Sequence, residues 1–256
     1  MGNCKGGVIP AFMTLMKEPT KDLKSIFITG TDTGVGKSIF TALLALSYFS
    51  TGKKVAISKP IQTGSPKDTD FLAELTGNKI PIFNTYSFSL GAAPSIACQI
   101  ENKNIEVEKI ISDIRKLEKE FDVVIVEGIG GIAVPITVVD CYLVIDLIKD
   151  LNYPIVIVAR PTLGTINHSV LTIEFAKQKK LNVLGFVVSG YDEGTNDPVT
   201  ETVPNIITEI TNITCLMRIP IIKNLNYKSL ASASGSFSLS GISLDSSKIP
   251  KERANV

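Results

Sequence analysis

The chain has 256 residues, 44% of them hydrophobic and 20% charged, enough for one sizeable buried core of ordinary domain size. Lys+Arg 26 against Asp+Glu 25 leaves a formal net charge of +1, which excludes the broad field that holds nucleic acid or an anionic membrane. No apolar run reaches the roughly 18 to 20 residues that span a bilayer, and the mean hydropathy of +0.25 fits a buried sheet. A cytoplasmic protein with a small-molecule partner is expected.

Residues 1–24 contain a short apolar stretch, Gly7 to Met16, without a small-residue cleavage pattern, and read as a disordered leader. Gly6 stands where a myristoylation motif requires Ser or Thr. Across residues 25–224 short β-branched runs alternate with helical patterns, which predicts an α/β domain: a mostly parallel sheet with helices on both faces.

The first expected strand, Ser25 to Thr29, runs into Gly30-Thr31-Asp32-Thr33-Gly34-Val35-Gly36-Lys37-Ser38, and a helix follows from Lys37 to Ser50. Phosphate chemistry accounts for each part. Glycines let the backbone turn tightly, so that N–H groups from Thr33 to Ser38 and the helix start face a polyanion. Lys37 supplies a charge for the β and γ phosphates of ATP, and Ser38 a hydroxyl for Mg²⁺. Five residues separate Gly30 from Gly36, one more than the usual phosphate-loop spacing, and Thr31 takes the usual first glycine's place. The strand, loop, Gly-Lys-Ser and helix still occur in the order of a P-loop NTPase.

The second strand, Val55 to Ser58, ends in Lys59-Pro60-Ile61-Gln62-Thr63-Gly64, which brings a lysine and a hydroxyl toward the phosphate loop; a solvated surface charge is the alternative for Lys59. Asp70 opens a short helix to Leu75, as a metal ligand or as a helix N-terminal acid. From Glu106 to Phe121, apolar residues recur at steps of three and four, which predicts a helix with a core-facing stripe. The strand Val123 to Val126 then delivers Glu127 and Gly128-Ile129-Gly130-Gly131, a Walker B pattern with Glu in place of Asp. A carboxylate at the dry end of an apolar strand is costly, and Mg²⁺ or a lysine partner would offset that cost.

A helix is expected over Val139 to Leu151, then a strand from Ile155 to Ala159. Gly164-Thr165-Ile166-Asn167-His168 opens the next helix, to Lys179, whose free N–H groups suit a carboxylate or phosphate. His168 is the sole histidine and reads as structural, which leaves no Ser-His-Asp or Cys-His arrangement. Strands at Val183 to Val188 and Cys215 to Arg218 flank a helix around Ile206. Residues 225–256 are rich in serine and read as a flexible tail. Cys4, Cys98, Cys141 and Cys215 form no C-x-x-C pair and are expected to be buried free thiols.

Together, the phosphate loop, Lys59 to Gly64, Val126 to Gly131 and Gly164 to His168 resemble the dethiobiotin synthetases, in order and approximate spacing, across residues 25–220. The lengthened phosphate loop is that family's form. The resemblance implies ATP- and Mg²⁺-dependent joining of CO₂ to 7,8-diaminopelargonic acid, closing a cyclic urea in biotin biosynthesis. It implies Lys37 and Lys59 on the γ-phosphate and carbamate, and Thr33 and Thr63 on phosphate or substrate. Ser38, Asp70 and Glu127 would then bind Mg²⁺. A homodimer is implied as well, with Gly164, Thr165, Ile166 and Asn167 taking the substrate carboxylate across the interface. The chain departs from some members at Gly34, where they carry an acid, and at Ser189, where they carry Asn.

The alternative is a ParA/MinD-like ATPase switch on the same fold. That class needs a second lysine five residues before Lys37, where this chain has Asp32. A cobyrinate-type amidotransferase would need an added glutaminase domain with a Cys-His pair, for which the chain has no spare histidine.

Overall fold

A computed structural model describes residues 24–191, 198–222 and 224–236. Most of the expected leader, and the tail beyond residue 236, lie outside these residues. In chain order the first elements are β1 (Ser25–Gly30), α1 (Lys37–Ser50), β2 (Val55–Ser58), β3 (Ile61–Thr63), α2 (Asp68–Thr76), β4 (Ile82–Phe83) and β5 (Tyr86–Phe88). They are followed by α3 (Pro94–Ile100), α4 (Val107–Glu120), β6 (Val123–Gly131), α5 (Val144–Leu151), β7 (Ile155–Ala159) and α6 (Thr165–Gln178). The last are β8 (Val183–Tyr191), α7 (Pro198–Thr211), β9 (Cys215–Pro220) and α8 (Tyr227–Ser236).

Seven strands form one parallel sheet in the order β4-β2-β6-β1-β7-β8-β9. Its central strands carry apolar residues on both faces because both faces are covered. Along β1, Phe27 points into a core with Ile110 and Ile114 of α4, Ile148 of α5 and Ile173 of α6. Its neighbours Ile26 and Ile28 point the other way, against Leu43 of α1, Leu72 of α2 and Leu230 of α8. The strand period of two thus writes a three-layer domain directly. The apolar stripe of α4 becomes its buried face, with Ile110 and Ile114 both at 0% exposure.

The chain leaves β1 for β2 and β4 on one side, returns to β6 between β2 and β1, and crosses to β7 on the other side. A reversal of this kind opens a crevice beyond the carboxyl ends of the strands, where ligands settle in open α/β sheets.

Several expectations change. The helix expected from Val139 starts at Val144, because Pro135 bridges to Leu143 and Cys141 takes φ +48, so 137–143 folds as a turn. Cys141 is exposed, and Cys98 and Cys215 only partly buried. The strand expected to end at Val126 continues to Gly131 and carries Glu127 within it. Finally, the tail expected from residue 225 contains α8, whose Leu230 is fully buried and whose Ser234 carbonyl accepts a hydrogen bond from the Ser47 hydroxyl at 3.3 Å. The second, two-stranded parallel sheet, β3 with β5, has no counterpart among the expected strands.

Candidate active site

Strand register assembles the centre of the crevice. Ser58 of β2 pairs with Val126 of β6, so the next residues along, Lys59 and Glu127, come side by side. Ile28 of β1 pairs with the same Glu127, so the loop that leaves β1 arrives on the other flank. Lys59 Nζ stands 2.8 Å from Glu127 Oε1 and donates to the Gly128 carbonyl at 2.9 Å. From α2, Asp68 Oδ2 completes the cluster at 2.7 Å from the same ammonium. Ser38, at the start of α1, donates from its hydroxyl to Glu127 Oε1 at 3.0 Å.

Charge in this cluster is largely removed from water. Lys59 and Glu127 are each 1% exposed and Lys37 is 7% exposed. Burial pushes the Lys37 ammonium down to about 8, and the neighbouring Lys59 charge adds to that fall. Burial also works against the Lys59 ammonium, but Glu127 and Asp68 more than offset it and hold its pKa above the ordinary lysine value. Lys37 donates to the Asp32 carbonyl at 2.8 Å, across the phosphate loop it closes. On the outer flank Arg160, just after β7, reaches the Thr33 carbonyl at 3.2 Å and Asp32 Oδ2 at 3.4 Å.

A cleft of about 710 Å³ opens over this cluster. Phosphate-loop residues Thr33, Gly34, Gly36, Lys37 and Ser38 form one wall, with Lys59, Asp68 and Glu127 at its base. Thr63 of β3 and Gly91-Ala92-Ala93-Pro94, which leads into α3, line the cleft as well. A cleft of this size takes a nucleotide's phosphates together with a small substrate.

Of the residues expected from sequence, Thr33, Gly34, Gly36, Lys37, Ser38, Lys59, Thr63 and Glu127 meet in this one cleft. The Val35 side chain is turned into the core beside α1, which leaves only its backbone toward the loop. Gly164, Thr165, Ile166 and Asn167 do not line the cleft. They begin α6 elsewhere at the crevice's edge, with Thr165 buried and Asn167 exposed. Asp70 is exposed on α2 and away from the cleft, and the acid that faces Lys59 is Asp68. The helix begins two residues earlier than expected, and positions two apart lie about 200° apart around a helix axis. Only one of the two acids can face the crevice. Sequence reasoning also passed over Arg160 and the Ala92-Ala93-Pro94 lining, although Pro at a helix's first position was a legible start signal.

The donor set fits a hard divalent cation. Glu127 Oε2 is buried and has no hydrogen-bond partner among the described residues, Asp68 offers a half-exposed carboxylate, and Ser38 adds a hydroxyl; Mg²⁺ takes such oxygens together with phosphate oxygens and water.

A family model described as AAA domain matches residues 24–229. The ATP-dependent dethiobiotin synthetase BioD of Thermodesulfovibrio yellowstonii is 35% identical over 78% of this chain and 90% of its own length. The ATP-dependent dethiobiotin synthetase BioD of Methanococcus vannielii is 37% identical, over 73% of this chain and 89% of its own. Among solved structures, the septum site-determining protein MinD of Pyrococcus horikoshii complexed with Mg-ADP superposes with a TM-score of 0.54. At 14% identity over 86% of this chain and 92% of that one, the likeness extends to the fold. The chain belongs to the ATP-dependent dethiobiotin synthetase family.

Proposed function

We propose that this protein carries out the ATP-dependent carboxylation and ring closure of 7,8-diaminopelargonic acid with CO₂, yielding dethiobiotin, ADP and phosphate. The observation that carries this reading is the convergence of Lys37, Lys59, Ser38 and Glu127 at the base of a cleft that Thr63 also lines. Such a site has two ammonium groups for an anion that develops during reaction, and no histidine or thiol to act as nucleophile. The nucleophile therefore comes with the substrate. One amine of the diamine adds CO₂ and loses a proton to form a carbamate, and a carbamate oxygen takes the γ-phosphoryl group of ATP as ADP leaves. The second amine then attacks the mixed anhydride, phosphate leaves, and the urea ring closes.

In this scheme Lys37 and the backbone N–H groups from Thr33 to Ser38 hold the ATP phosphates, and Lys59 faces the γ-phosphate and carbamate. Thr63 orients substrate. Ser38, Asp68 and Glu127 would hold Mg²⁺, which would supply neutralisation of the phosphate charge. The start of α6, Gly164 to Asn167, is assigned to the substrate carboxylate from a second subunit. A homodimer is supported by Leu163, 99% exposed just before α6, and Leu171, 62% exposed on it, which leave apolar surface open at that face. No helix among the described residues is long and apolar enough to cross a membrane, and dependence on ATP favours a cytoplasmic reaction.

The test is ADP release by purified protein supplied with ATP, Mg²⁺ and bicarbonate, with and without the diamine. Release that requires the diamine supports the reading; release indifferent to it would move the assignment to an ATPase switch.

A further inference from the structure

Lys59 already engages both carboxylates that a divalent cation would need. Its ammonium lies 2.7 Å from Asp68 Oδ2 and 2.8 Å from Glu127 Oε1, and a third bond reaches the Gly128 carbonyl at 2.9 Å. An ammonium has three protons, and all three are accounted for. The fixed charges around it also balance. Lys37 and Lys59 stand against Asp68 and Glu127, and at the loop's outer edge Arg160 stands against Asp32.

A divalent cation arriving alone would enter beside an ammonium that is 1% exposed and already bonded to both carboxylates, and would leave two uncompensated positive charges at the cleft's buried base. A polyphosphate changes both conditions. It supplies the missing negative charge, and it gives the Lys59 ammonium new oxygens to bond as the carboxylates turn to the metal. We infer that Lys59 is an internal counter-cation that makes metal loading conditional on nucleotide: the site accepts a divalent cation only together with a nucleotide's phosphates. This also times the chemistry, because the lysine is released toward the reacting phosphate only when the metal has taken its carboxylates. The inference rests on the reading of Ser38, Asp68 and Glu127 as the metal's ligands.

The experiment uses Mn²⁺ as the probe, with free ion measured by electron paramagnetic resonance in the absence of nucleotide. Lys59→Gln should bind Mn²⁺ about tenfold or more tighter than the wild type. The double variant K59Q/D68N should return to the wild-type level, which places the bound ion at this site. Lys59→Gln binding Mn²⁺ no better than wild type would overturn the inference. Because Lys59→Gln leaves Glu127 buried without its cation and could fail to fold, Lys59→Arg provides a second route. It keeps the charge and grips both carboxylates in a broader fork. It should exclude Mn²⁺ alone as the wild type does and should blunt the gain in ADP affinity that Mn²⁺ gives the wild type; an undiminished gain contradicts the inference. The metal-site reading has its own control: Mn²⁺ must tighten ADP binding to wild-type protein in calorimetry, and no such effect would overturn that reading itself.

Discussion

Gly36 and Ser189 are packed backbone against side chain: a Cβ built on Gly36 would lie 2.8 Å from Ser189 Cβ and closer still to its hydroxyl. The contact ties the phosphate loop to the end of β8, two strands from the loop's own strand in the sheet. Gly36 also takes φ +97, a conformation that L side chains rarely adopt. Gly36→Ala therefore meets two separate obstacles. The expected result is a loss of about 1–3 kcal/mol in stability together with loss of ADP binding. Adding Ser189→Gly should relieve the clash but not the backbone strain, so the double variant recovers part of its thermal stability in a melting experiment.

Asp68 and Asp70 provide a matched pair of substitutions on one helix. Asp68 touches Lys59, whereas Asp70 is exposed. Asp68→Asn should lower turnover by about 100-fold. Asp70→Asn should leave turnover close to wild type and stability within about 0.5 kcal/mol. Steady-state kinetics on the two variants compare them directly, and equal losses would contradict the placement of Asp68 as the functional acid.

Leu230 of α8 is fully buried against α1, the helix that begins with Lys37. Leu230→Ala is expected to destabilise the domain by about 2–5 kcal/mol, read as a lower urea midpoint. A change near zero would mean that the helix docks too loosely to count as part of the core.

Leu163 and Leu171 bear on the proposed homodimer. Charged substitutions at these exposed positions cost little in a monomer but are costly inside an apolar interface. Leu163→Glu with Leu171→Glu should shift the sedimenting species from dimer to monomer and raise KM for the diamine, with the melting temperature of the monomer domain nearly unchanged.

Much of this was legible in the sequence, for reasons that can be traced to particular residues. The strands around Ile26 to Ile28 and Val123 to Val126 carry continuous apolar runs because both their faces are covered, and such runs are visible without any partner. The phosphate loop was legible because Gly34, Gly36 and Lys37 are demanded by local backbone geometry and phosphate charge. Asp68 was not, because the choice between it and Asp70 depends on where a helix starts to within two residues, and Lys67 at the N-cap gives no side-chain capping signal. The helix α8 was missed for a different reason. Its Ala- and Ser-rich sequence has one large aliphatic residue, Leu230, and its order comes from docking on α1, which no local pattern records. The small sheet of β3 and β5 is similar, since three-residue strands separated by a helix and a further strand leave no period to read.

The measurement that tests the central claim most directly is the fate of labelled carbon. The protein would be supplied with ¹³C-bicarbonate, ATP, Mg²⁺ and 7,8-diaminopelargonic acid, and the products examined by mass spectrometry. The account predicts a cyclic urea that carries the label in its carbonyl, formed in step with ADP and absent from Lys37→Ala protein. ADP accumulating with no labelled ring would contradict it.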